Sequence, residues 1–96
     1  MNIETEKHNL IHVLILKILS PEHPKSVDSV LLRRCLADFG YPLSEKALKS
    51  YLAYLHERGC IRMDEKKDYG IIMATITAKG LDILDGRITE PGIKLD

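Results

Sequence analysis

At 96 residues the chain has the length of one small domain, and with 45% of its residues apolar it can bury one thin core. Fourteen basic residues stand against fourteen acidic ones, which excludes a strongly cationic binder of nucleic acid or membrane surface. Any contact with DNA must therefore come from local asymmetry of charge.

Cys35 and Cys60 follow no metal-ligand spacing and lie among apolar residues, so they read as buried free thiols of a reducing cytosol. The opening MNIETEKHN is polar and mixed in charge, unlike a secretory leader. The apolar run 10–19 is broken by His12 and Lys17 and is too short to cross a bilayer. A soluble cytoplasmic protein with no membrane partner is expected.

Residues 5–19, TEKHNLIHVLILKIL, predict a helix capped by Thr5, with Glu6 in its first turn and Ser20-Pro21 at its end. Its aliphatic residues cover more than the roughly 100° stripe a surface helix needs. It must therefore run through the centre of the domain or lend a face to a partner. After the loop SPEHPKS, Ser26 is expected to cap a second helix, VDSVLLRRCLADF, which Gly40 stops. Its inward set reads as Val27, Val30, Leu31, Cys35, Leu36 and Phe39. Ser44 then caps a third helix ending at Gly59, with Ala47, Leu48, Tyr51, Leu52 and Leu55 inward.

Beyond Gly59 the period changes. CIRM and IIMATIT read as the strands of a hairpin with DEKKDYG at its tip, and Thr77 caps a last helix that Gly86 ends. Gly80 allows that helix to approach its neighbours closely, while Leu81 and Leu84 are expected to close the core. Two helices joined by a tight turn, followed at once by an antiparallel hairpin, predict a mainly α fold with a small β-hairpin: a winged helix-turn-helix in the order α-α-α-β-β-α. Residues 1–86 form the domain, and 87–96 form an extended C-terminal arm that packs on its own domain or on a neighbouring subunit.

The segment ITAKGLDILDGRITEPGIK carries Thr77, Gly80, Leu81, Asp82, Gly86, Arg87, Pro91, Gly92 and Lys94, with Ile93 where a valine is usual. With Phe39-Gly40-Tyr41 and Glu57-Arg58-Gly59, it resembles a family of small winged-helix-like proteins of Mu-like phages and prophages. The resemblance spans nearly the whole chain, though only the tail is specific. It implies a phage or prophage origin, hence a bacterial host cell, and it brings no assigned activity and no catalytic or ligand residues.

No enzyme is expected. His8 and His12 lie one helical turn apart without a third ligand in sight, and the chain has no glycine-rich phosphate loop, nucleophile elbow or carboxylate pair. No cofactor and no metal are implied. In a helix-turn-helix the second helix enters the major groove N-terminal end first. That places Lys46, Lys49 and Ser50 outward on the third helix, with Arg62, Lys66 and Lys67 along the wing, as candidates for binding double-stranded DNA. Yet residues 44–79 carry seven basic residues against five acidic ones, a weak footprint for a monomer. A homodimer through the first helix and the C-terminal segment would double the contacts. The alternative is a protein-interaction module in phage assembly or host takeover, with no DNA binding.

Overall fold

The first helix, α1 (Ile3–Leu19), begins two residues before Thr5. Asn2 caps it, the side-chain oxygen accepting from the backbone N–H groups of Glu4 at 2.9 Å and Thr5 at 3.4 Å. The computed structural model describes residues 2–66 and 69–95. Ile11, Val13, Ile15, Leu16 and Leu19 are all buried, so α1 is the central rod of the core, while Ile3 and Leu10 on its far side stay exposed.

The chain then departs from the expected order. Val27 and Asp28 form a short strand, β1, instead of the first turn of a helix, and α2 runs from Ser29 to Asp38. The cap is therefore Asp28, whose carboxylate accepts from Leu31 N–H at 2.8 Å, and not Ser26. Starting two residues later turns a different face inward. Leu32 and Leu36 are fully buried, Cys35 is half-buried, and Val30, Leu31 and Phe39 are 46%, 51% and 59% exposed. The phase expected from periodicity fails here because Val27 is not helical: it pairs with Ala74 in the sheet.

α3 (Glu45–Glu57) is capped by Ser44, whose hydroxyl accepts from Ala47 N–H at 3.1 Å, and it buries Leu48, Leu52 and Leu55. The hairpin follows as β2 (Ile61–Lys66) and β3 (Ile71–Ile76), and α4 (Ala78–Leu84) closes the domain. Among the described residues there are four helices and one small antiparallel sheet ordered β1-β3-β2, mostly helical in total. β3 is the central strand, pairing Ala74 with Val27 on one side and with Met63 on the other.

The glycines expected to end helices do so by one mechanism. After α2, α3 and α4, Gly40, Gly59 and Gly86 take left-handed backbone angles. The N–H groups of Tyr41, Cys60 and Arg87 then reach back to the carbonyls of Leu36, Leu55 and Asp82 at 2.9 Å. Gly80 has a different task. A Cβ there would run into the carbonyl oxygen of Cys60 and the side chain of Ile76, so only glycine lets α4 cross the end of β3. Thr77 fixes that crossing, donating its hydroxyl to Gly59 O at 2.6 Å and accepting from Gly80 N–H at 3.3 Å. Below it Ile83 is fully buried, with Leu81 and Leu84 packed around it.

The phase of α2 is directly testable. Leu32→Ala should cost about 2–4 kcal/mol of unfolding free energy in urea, whereas Leu31→Ala should change it by less than about 1 kcal/mol. Equal losses would contradict the β1–α2 boundary.

Candidate functional site

Residues on α3 divide between two grooves that run along its flanks. On one side Lys46 and Lys49 join Ser29 and Arg33 of α2 and Glu65 of β2 around a groove of about 480 Å³. The pairing register explains why Glu65 is there. Opposite it lies Ile72, so Ile61, Met63 and Glu65 share the core-facing side of the hairpin. Only Glu65 extends past the core to meet α3, where its carboxylate pairs with Lys49 Nζ at 2.7 Å. Arg33 is similarly engaged, donating its Nε–H to Leu43 O at 3.0 Å and approaching Glu45 at 3.7 Å.

The other basic candidates fall elsewhere. Arg62 and Lys66 alternate with the core-facing residues and so project from the opposite face of the sheet, beside Met73 and Thr75. Lys66 pairs there with Asp64 at 3.6 Å. Ser50 lines the second groove, against α1. Lys67 lies outside the described residues. The five of the six candidates that are described thus do not form one patch: Lys46 and Lys49 lie together, Arg62 and Lys66 form a separate pair, and Ser50 lies apart from both.

Sequence reasoning missed a polar cluster that fastens the tail. Tyr54 of α3 donates its hydroxyl to Pro91 O at 2.8 Å. One face of its ring stacks on His12 of α1, with centroids 4.4 Å apart and planes within 11°. The Arg58 guanidinium covers the ring at 4.2 Å. His12 Nδ1 donates to Gly92 O at 2.8 Å, and Ile93 is buried in the core just beyond. Glu90, only 13% exposed at its side chain, accepts from Lys79 Nζ at 2.6 Å and lies 4.0 Å from Arg58. Gly92 sits so close to Tyr54 that a Cβ would strike the phenol oxygen, and its φ of +84° suits glycine as well. A Tyr-x-x-Tyr pair one turn apart and a histidine inside an apolar run were the available hints. Nothing local links them to residues some 80 positions on.

Burial sets the chemistry of this cluster. Desolvation pushes the His12 pKa below its ordinary 6.5, aided by the nearby charges of His8 and Arg58 and opposed by the bond to Gly92. The Tyr51 phenol is raised by burial and by Glu4, and the Cys60 thiol chiefly by burial. A buried thiol raised in this way is a poor nucleophile. Among the described residues no group of three or more His, Cys, Asp or Glu side chains is placed to hold a metal ion, and no helix is long and apolar enough to cross a membrane.

Compared with family models, curated proteins and solved structures, the chain matches none of them.

Because His12 resists protonation in the folded chain and accepts a proton near pH 6.5 when unfolded, its contribution is present above that pH and is lost as the pH falls through the folded pKa. Urea denaturation between about pH 7.5 and pH 5 should show falling stability, and His12→Phe, with no imidazole to titrate, should flatten that fall. An unchanged slope in the variant would contradict the assignment.

Proposed function

We propose that the chain is a winged helix-turn-helix protein that binds double-stranded DNA as an accessory or regulatory factor, with α3 presented to the major groove and the β2–β3 hairpin as its wing. The observation that carries this reading is the exposed pair Lys46 and Lys49 on the first two turns of α3, open to solvent beside the hairpin. That end of such a helix lies nearest the base edges. The succession α1, β1, α2, α3, β2, β3 supports it, since the short strand gives the hairpin a third partner and fixes its angle to α3. The phage or prophage origin rests on the resemblance of the tail alone. The protein is read as a binding module and not as an enzyme, on the lack of any catalytic motif in its sequence.

Local acids set the terms of binding. Lys49 is committed to Glu65, so a phosphate must displace a carboxylate to reach it, and Lys66 stands in the same relation to Asp64. Arg62 and Lys66, on the outer face of the sheet, can reach only backbone flanking the site of α3. Affinity of a monomer for random sequence should therefore be low at physiological salt. A homodimer would raise it. The exposed aliphatics Ile3 and Leu10 of the first helix and Ile88 of the C-terminal segment are the residues that support one, whereas Ile93 is occupied within its own chain. The alternative, a protein-interaction module, draws on the exposed Val30, Leu31 and Phe39.

Anisotropy titrations of random-sequence duplex DNA from low to moderate salt, with solution mass recorded alongside, test the proposal. Binding should fall steeply with salt, and Lys49→Ala should weaken it and lower the salt slope by about one unit. Glu65→Gln, which frees Lys49 and removes a charge facing phosphate, should tighten binding roughly three- to tenfold. No binding at low salt would turn the assignment to the interaction-module reading. Lysine and glutamate variants that bind like the wild type would remove α3 from the interface.

A further inference from the structure

The second groove along α3 has the make-up of a ligand site. It is an open groove of about 460 Å³ between α1 and α3, with Gly92 of the tail at one wall. His8, His12, Tyr51 and Tyr54 supply ring surfaces, and the Tyr51 ring stands nearly perpendicular to both imidazoles, at 76° and 73°. The polar groups around the rings are uncharged: Thr5, Asn9 and Ser50. No Lys, Arg, Asp or Glu side chain lines it, in contrast to the groove on the other flank of α3.

One atom inside it lacks a partner. His12 is 5% exposed, and among the described residues its ring makes a single hydrogen bond, from Nδ1 to Gly92 O. A carbonyl oxygen can only accept, so Nδ1 carries the proton and Nε2 is a bare lone pair in the neutral ring. Arg58 Nε is the sealed, unpartnered side-chain atom among the described residues, so Nε2 is not sealed, and the side chain that carries it lines the groove. A fixed Nδ1–H tautomer, held by a backbone carbonyl, aims this acceptor in advance of any ligand.

We infer that this groove binds a small, uncharged, planar aromatic molecule bearing one O–H or N–H donor, its ring laid on the groove wall that His8 and Tyr51 form in edge contact and its donor on His12 Nε2. The planar ring follows from the walls, the neutrality from the absence of ionic side chains, and the donor from the free lone pair. The inference does not depend on DNA binding, although Ala47 and Ser50 place the ligand against α3.

Phenol is the probe. Titrated into the full ¹⁵N-labelled chain, it should give saturable amide shifts at Ala47, Ser50, Tyr51 and Gly92 and a shift of His12 Nε2, with a Kd on the order of 1 mM for so small a molecule. Toluene, which has the ring without the donor, and benzoate, which is charged, should each bind at least about tenfold more weakly. Ser50→Phe, at an exposed position on the groove wall, should abolish the phenol shifts while the rest of the spectrum stays native. His12→Phe should lose the preference for phenol over toluene. Phenol shifts that are absent, that lie elsewhere on the surface or that toluene reproduces equally would overturn the assignment.

Discussion

Tyr54 holds three parts of the chain at once. Its ring lies between His12 of α1 and Arg58 at the end of α3, and its hydroxyl is bonded to the tail at Pro91. Both ring faces and the polar tip are satisfied, which is how a large aromatic residue at a domain edge combines apolar contact with a hydrogen bond. The consequences spread outward. With the tail fixed, Ile93 reaches the core and Glu90 reaches Lys79, which in turn donates to Arg58 O at 2.6 Å. With α3 pinned to α1 along this seam, its rotation is set, and Lys46 and Lys49 are left on the free flank. Residues 87–95 are thus part of what orients α3, more than an appendage to it.

The charges follow a different logic. A chain with equal numbers of acids and bases has little long-range field to attract an anion, so the proposed DNA binding would rest on a few cations with specific surroundings. Around the groove on the exposed flank of α3 two of the cations are already paired, Lys49 with Glu65 and Arg33 of α2 with Glu45. Exposed pairs of this kind contribute little to stability, about 0–1 kcal/mol. They cost a competing phosphate a comparable amount. On the proposed reading, such pairing would weaken non-specific binding and leave affinity to direct readout or to a second copy.

What could be read from the sequence was what local chemistry decides. Ser44 and Thr77 as caps, Gly40, Gly59 and Gly86 as helix stops and Gly80 as a close crossing each follow from one residue type in one backbone setting. Strand β1 was not legible, because two residues carry no periodicity and their pairing depends on Met73 and Ala74 far along the chain. Without β1 the start of α2 falls two residues early, which turns Leu31 and Phe39 inward in place of Leu32, whereas Leu32 is the buried residue. Which face of the sheet Arg62 takes was not legible either, because the side of a strand residue is fixed only by register, here Ile61 against Ile76. The cluster of His12, Tyr54 and Glu90 joins residues that local patterns cannot connect.

Mapping in solution whether and where duplex DNA touches the protein tests the proposed function most directly. With ¹⁵N-labelled protein and a random-sequence duplex at low salt, the account predicts amide shifts at Lys46, Lys49, Glu65 and Gly70, and none at His12, Tyr54 or Gly92. Shifts confined to α1 and the tail, or none on α3, would contradict it.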